Sequence, residues 1–266
     1  KMSWSVLRIQ GGRPFTGTLP QPPSTTGIFQ TSTAGWRLGG RAPGQNPPEL
    51  YVDQKVIAFR LQGVDQLPEP VITASGGAVD AQALSDGDLE RTAIELPAAT
   101  ETGGICWLQF DFGHPVTVRG FSWSIANGGG YFDGLAIANS DGTPPMLFRF
   151  EASDDGRTWR DTGAKVQAGT PQRTVSVDSV CARYFRLVSV KQPPAPPRPV
   201  GRWGRPPAAP PESIAIREFV IRAEPTVHSF EEKAAFFPNA GYYSLPSGSG
   251  SEAAPRASDV VDLTSR

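Results

Sequence analysis

The sequence predicts an all-β fold, an antiparallel β-sandwich, and three observations predict it. Short runs of alternating or β-branched apolar residues recur from position 71 to 222. Turn chemistry lies between them, most plainly in Asp154-Asp155-Gly156. Gly 29 and Pro 27 oppose long helices. Eight or more short strands joined in this way pack naturally as a sandwich or jelly roll.

The elements follow in chain order. Lys1–Gln10 alternates as a strand, with Trp4, Val6 and Arg8 on one side and Ser3, Ser5 and Leu7 on the other. Residues 11–48 are rich in Gly, Pro, Ser and Thr, and are expected to wrap over a surface or form a functional loop. A second strand is expected over Lys55–Arg60. The pattern becomes denser after Leu67–Pro70. Strands are expected at Val71–Ser75, Ile105–Phe112, Thr117–Ile125, Gly134–Ala138, Leu147–Ala152, Thr174–Val177, Arg183–Val190 and Ile214–Arg222. Val79–Leu84 reads as one helical turn. The proline-rich stretch 192–211 cannot donate to a ladder at most positions, so it reads as a polyproline-like surface loop.

Ser229-Phe230-Glu231-Glu232 has the form of a capping box. A short helix through Phe237 should follow, with Phe230, Ala234 and Phe237 on one face and Pro238 stopping it. Ser247–Pro255 reads as a linker. Val260–Leu263 reads as a last strand that enters something outside the segment. The expected division is an N-terminal arm with two strands (1–67), the sandwich (68–224), and a connecting helix, linker and strand (225–266).

Bulk properties exclude several function classes. The net charge of −1 leaves no electrostatic footprint for nucleic acid or an anionic membrane. No run of about 18 apolar residues is present to cross a bilayer. The N-terminal residues lack the shape of a signal peptide. The chain opens on Lys1, and is expected to be a piece of a longer one with any such peptide upstream. Cys106 and Cys181 each sit in a strand-like run. They read either as small buried hydrophobes or as a disulfide pair. Neither has the spacing of a zinc site.

The most specific local feature is Asp86-Gly87-Asp88, with Thr92 shortly after. Two carboxylates flank a glycine that permits a tight bend, and such a loop can turn oxygens toward one hard cation. A plain Asp-Gly turn has the same spelling. A sugar site needs an aromatic platform with convergent polar groups. Trp36, Trp123, Tyr131 and Trp203 are candidate platforms. Asn127, Tyr131 and Asp133, in the glycine-rich loop 127–133, are the candidate carbohydrate-binding residues. The alternative is that these rings pack the core or a neighbouring domain. Glu101, Asp111 and Asp133 are unpaired acids and read as solvated charges. His114 and His228 read as structural.

Three segments carry a resemblance. Ser153-Asp154-Asp155-Gly156-Arg157-Thr158-Trp159 precedes Ala182-Arg183-Tyr184-Phe185-Arg186-Leu187, and Ile214-Ala215-Ile216-Arg217-Glu218-Phe219 closes the series. Their order resembles the discoidin fold, a galactose-binding-like β-sandwich shared by the family 32 carbohydrate-binding modules. The resemblance implies a structural calcium, held by Asp86, Asp88, Thr92 and Glu218. The chain departs from that pattern at Ile94, where those domains usually carry Trp, and in its proline-rich insertion.

The flanks carry a second resemblance. Trp4-Ser5-Val6, residues 19–27, Tyr51-Val52-Asp53, Val56–Arg60, Phe230–Ala234 and Val260–Ser265 resemble glycoside hydrolase family 106, the α-L-rhamnosidases. This implies a bacterial, secreted or periplasmic enzyme in which a β-sandwich is inserted into a catalytic (β/α)8 barrel. Such an enzyme is expected to cleave terminal α-linked rhamnose with inversion, using a general acid and a general base carried on the barrel. No catalytic residue is therefore expected in this segment. The implied partners are a rhamnose-containing carbohydrate and the barrel of the same chain. A free-standing carbohydrate-binding or adhesion module is the alternative. A structural, protein-binding domain is a third.

Overall fold

A computed structural model describes residues 4–9, 11–20, 54–60, 66–125, 146–166, 172–191, 212–234, 236 and 256–264. Nine strands lie in this part: β1 (Ile57–Phe59), β2 (Val71–Ala74), β3 (Ile94–Pro97), β4 (Ile105–Ile125), β5 (Met146–Ser153), β6 (Arg160–Asp161), β7 (Arg173–Lys191), β8 (Ser213–Arg222) and β9 (Val260–Asp262). All pairings are antiparallel. Seven strands run in the order β3-β8-β4-β7-β5-β6, with β2 added to β4.

Two of these strands are too long to be flat. β4 and β7 pair from Ile105↔Val190 to Trp123↔Arg173, with register breaks between Asp111 and Val116 and between Val118 and Gly120. At the first break Gly113 takes a positive φ and Pro115 removes a donor. The pair bends there and passes from one layer into the other. The first half of β4, with β2, the second half of β7, β5 and β6, makes one layer. The second half of β4, with β8, β3 and the first half of β7, makes the other. The result is the predicted antiparallel sandwich. The sequence reads each long strand as two strands; in β4 the exposed Gly113-His114-Pro115 interrupts the alternation without ending the strand.

The second break changes which residues face the core. Cys106, Leu108, Phe110, Phe112, Val116 and Val118 point inward at even positions, but Phe121, Trp123 and Ile125 do so at odd ones. An extra residue in a strand produces this change of phase. Gly120 sits at the shift. A Cβ there would lie 2.8 Å from the Val175 carbonyl and collide with Thr226 Oγ1.

The two layers meet through aromatic rings. Phe110, Phe150 and Phe185 come from the first layer and Phe121, Trp123 and Phe219 from the second. Phe121 lies 4.6 Å from Phe150 and 4.9 Å from Phe219, centroid to centroid. Phe110 stacks on Phe219 at 5.3 Å, and Phe150 on Phe185 at 5.7 Å. Trp123 meets Phe148 edge-on at 4.9 Å. Trp123 is thus a core residue and not a sugar platform. Trp159 is only half buried: its ring lies beneath the Arg186 guanidinium, 4.0 Å from the centroid.

Several local expectations change. Residues 4–9 carry no strand. Residues 81–84 form turns and no helix, with Leu84 N–H on the Asp80 carbonyl at 3.3 Å. β3 and β6 are additions. β9 pairs with β1 through Ile57↔Asp262, Ala58↔Val261 and Phe59↔Val260. Cys106 is buried and Cys181 exposed, and both are free, so no disulfide joins them. The expected strand at Gly134–Ala138 and the loop 192–211 lie outside the described residues.

Phe121 is wholly buried against the rings of Phe150 and Phe219. Phe121→Ala is expected to lower unfolding free energy by about 3–5 kcal/mol in urea titration. A loss under about 1 kcal/mol would contradict the interlayer packing described here.

Candidate functional site

The loop singled out by sequence sits at one end of the second layer. Asp86 Oδ1 accepts the Asp88 N–H at 2.8 Å and Asp88 Oδ1 accepts the Glu90 N–H at 2.9 Å. These are Asx turns, and Gly87 between them has φ +81°. Backbone bonds fasten the loop to β8: the Leu84 carbonyl accepts the Phe219 N–H at 2.9 Å, and Ala93 N–H donates to the Ile216 carbonyl at 2.9 Å. This brings Glu218 toward the loop. Arg91 sits on the loop's outer side, paired with Asp80 and 3.6 Å from Asp86.

Glu218 is 5% exposed. Its Oε1 accepts a hydrogen bond from Gln172 at 2.8 Å. Burial raises its carboxyl above the usual range, and the negative charges of Asp86 and Glu231 add to this; Arg222 and Gln172 oppose it. Asp86 and Glu218, 132 positions apart by number (218 − 86), therefore share one electrostatic neighbourhood. Asp88 and Thr92 are exposed on the same loop. Among the described residues, no three His, Cys, Asp or Glu side chains gather into a metal-binding group. Asn127, Tyr131 and Asp133, the candidate sugar-binding residues, lie outside the described residues, as do Trp36 and Trp203.

The segments Ser153–Trp159 and Ala182–Leu187 hold the fold together. Asp155 Oδ1 accepts the N–H groups of Arg157 and Thr158 at 2.8 and 2.7 Å, and the Ser153 hydroxyl at 2.9 Å. These donors hold its carboxyl far below the usual range. Gly156 has φ +71° and its Cα lies against the Tyr184 ring. Arg186 binds Glu151 at 2.7 Å and covers Trp159. Arg183 grips Asp111 with two bonds of 2.7 and 2.8 Å. Asp111, read from sequence as an unpaired, solvated acid, is thus paired with Arg183.

A second polar group, which sequence reasoning misread, lies on the outer face of the second layer. The segment after β8 folds back and places helix α1 (Phe230–Lys233) there. The capping box is not formed. Ser229 is left-handed, φ 54°, makes no side-chain cap, and gives its N–H to the Thr174 carbonyl at 2.8 Å. Its competitor is the edge of β7. Glu231 turns inward and accepts both the Thr174 N–H and the Thr174 hydroxyl, each at 2.7 Å. Glu232 accepts Arg173. Ser122 shares a 2.8 Å bond with Thr174 and accepts Arg222 at 3.1 Å. Arg222 reaches Glu224, which also pairs with Arg8 of the N-terminal arm at 2.8 Å. His228 Nδ1 accepts the Ser176 N–H at 3.3 Å, and burial, with the nearby charges of Lys233 and Arg173, lowers the imidazole's pKa. The sequence signal for this group is Glu231-Glu232 beside aromatic residues, which reads equally well as an exposed first helical turn.

Every buried carboxylate among the described residues is thus engaged internally: Glu151 by Arg186, Glu218 by Gln172, Glu231 by Thr174 and Glu232 by Arg173. This is the chemistry of a scaffold, with the Asp86–Asp88 turn left exposed beside it.

The described residues define an antiparallel β-sandwich with helix α1 docked on the outer face of its second layer. The α-L-rhamnosidase family profile of glycoside hydrolase family 106 matches residues 1–266, and the chain belongs to that family. The rhamnosidase from Novosphingobium sp. PP1Y is similar in structure, with 27% identity and a TM-score of 0.62. That likeness covers 99% of this chain and 21% of the rhamnosidase, so the chain spans about a fifth of the enzyme's length. CpGH89CBM32-5 from Clostridium perfringens, solved in complex with GalNAc-β-1,3-galactose, aligns with 59% of this chain and 98% of its own at 16% identity and a TM-score of 0.36. No curated protein matches the sequence.

Glu231 is 2% exposed, and burial raises its carboxyl above the usual range; Thr174 opposes this and the Glu232 charge adds to it. A carboxyl shifted upward on folding supports stability fully below the usual carboxylate range, and the support is lost as pH rises through its folded value. Gln mimics the protonated form: its Oε1 can accept the Thr174 N–H and its Nε2 can donate to the hydroxyl. Glu231→Gln should therefore flatten the fall in melting temperature from acid toward neutral pH. Parallel curves for the two proteins would contradict this.

Proposed function

We propose that this chain is the non-catalytic β-sandwich region of a longer glycoside hydrolase that removes terminal α-linked rhamnose. The observation that carries the reading is the family match over residues 1–266. The likeness to a rhamnosidase of which it spans about a fifth supports it. The internal engagement of the buried carboxylates supports placing the acid and base elsewhere on the polypeptide, since each catalytic carboxyl must reach the glycosidic bond or an attacking water. A secreted or periplasmic location suits an enzyme acting on glycosides. Among the described residues, no helix is long and apolar enough to cross a membrane.

The reading is tested by hydrolysis of an aryl α-L-rhamnoside. The full polypeptide that carries this chain should release the aryl alcohol, and residues 1–266 alone should not. Turnover by the isolated segment would move the catalytic groups into it. Turnover by neither would sink the rhamnosidase reading.

A structural calcium at the Asp86 loop belongs to the same proposal. Asp86, Asp88, Thr92 and Glu218 are its side-chain ligands, completed by backbone oxygens as calcium's six to eight positions require. The support is the pairing of a buried Glu218 with Asp86 in one neighbourhood, where a cation relieves both charges. A ligand present at about 100 times its Kd stabilises the folded state by about 2.7 kcal/mol. EDTA should lower the melting temperature by several degrees, calcium should restore it, and Glu218→Gln should abolish the response. An EDTA-independent melting curve removes the metal from this account.

A further inference from the structure

The apolar side chains left in solvent are concentrated on the passages by which the chain enters and leaves the sandwich. Trp4, Val6, Leu7, Ile9, Phe15 and Leu19 are exposed on the arm. Ile57 and Phe59 are exposed on β1, and Val260 and Val261 on β9. The two passages are stitched together twice. Arg8 pairs with Glu224, and β1 pairs with β9. Leu263 N–H donates to the Val56 carbonyl at 2.8 Å, and Val56 N–H to Thr264 Oγ1 at 3.1 Å. A two-stranded ribbon is at best marginal in water and needs a covering surface.

The ribbon's pairing defines its faces. Residues directly opposite in an antiparallel pair share a face. Phe59 and Val260 are opposite, and Ile57 lies on the same face opposite Asp262. The one charge pair there, Lys55 with Asp262 at 3.3 Å, neutralises itself. The face is therefore apolar and uncharged overall, which suits neither a polyanion nor a free glycan.

We infer that the Ile57, Phe59 and Val260 face of the β1–β9 ribbon is covered by the remainder of the same polypeptide, so that the ribbon is the seam joining the sandwich to the rest of the hydrolase. This rests on the proposed reading of the chain as one region of a longer enzyme. The occupant follows from length and from area. A rhamnosidase that aligns with 99% of this chain has almost four-fifths of its length outside the match. A ribbon of two three-residue strands cannot by itself bury the ~800 Å² per partner of a stable association between separate molecules. A covalently linked neighbour needs no such area, because its effective concentration is high.

The test uses the paired substitution Phe59→Thr with Val260→Thr. Threonine keeps the β preference of both strands and removes the apolar contact. Each pair is compared with its parent, in the full polypeptide and in residues 1–266 alone. In the full polypeptide the variant should melt at least about 3 °C lower. Limited proteolysis near the ribbon should be at least about tenfold faster, as for a locally opened segment. In residues 1–266 alone, where the face is already wet, the melting temperature should not move. An unchanged full polypeptide overturns the proposal. So does a dimer of residues 1–266 that the double variant dissociates, because the occupant is then a second copy. Melting and proteolysis do not depend on rhamnoside turnover, so an inactive parent would sink the enzymatic reading and leave this result to be judged separately.

Discussion

The β4–β7 ladder is the constraint on which the rest of the structure depends. The two strands pair over most of their length and bend together, so one ladder belongs to both layers. Ordinarily the layers of a sandwich are held by side chains alone. Here a backbone ladder that resumes after each of its two register shifts also fixes how one layer lies over the other. That registration lets Phe110, Phe150 and Phe185 meet Phe121, Trp123 and Phe219 at stacking distances. It also delivers the site. β8 flanks the second half of β4, β3 flanks β8, and the loop between β2 and β3 is thereby held against Glu218.

The outer face of the second layer answers a different requirement. A sandwich with both faces wet would carry polar residues on the outside of β4, and Ser122 and Ser124 fit that pattern. Both are nonetheless buried, and Thr174 links Ser122 to Glu231 of α1. Covering polar groups is costly unless each finds a partner. Thr174 serves Ser122 and Glu231 together, and Arg173 serves Glu232. A buried charge that loses its partner costs more than the pair contributes. The network therefore discriminates strongly against any other docking of this segment. It fixes where the chain goes after the sandwich more than it adds to overall stability.

The sandwich was legible in the sequence because period-two alternation survives wherever one face is buried. Ile105–Phe112 and Ile214–Arg222 show this, and both lie in strands. The continuity of β4 was not legible, since Gly113-His114-Pro115 carries the same signal whether a strand ends or bends. β3 was hidden because Ile94–Pro97 is four residues long and ends on proline. The capping box at Ser229 was misread for a physical reason. Its local pattern was right, but the free edge at Thr174 offered the Ser229 N–H and the Glu231 carboxylate tertiary partners that no neighbouring residue reveals. Of the candidate site, the Asp86 and Asp88 turn was visible in the spelling. The approach of Glu218 came from family resemblance, since nothing near position 218 announces a distant loop.

Those same residues explain why the sandwich says so little about substrate. In Ser153–Trp159 and Ala182–Leu187, the motif positions are occupied by turn capping, a glycine against Tyr184, an arginine over Trp159 and rings in the core. Each is a solution to a folding problem. Such motifs recur among proteins with unrelated ligands because the fold demands them, and function is set by what is grafted around it. In this chain the grafted parts are the Asp86 loop and the connecting passages. The passages carry the family resemblance and most of the exposed apolar side chains among the described residues. The features that set this sandwich apart among the described residues therefore lie in the Asp86 loop and in the passages by which the chain enters and leaves it.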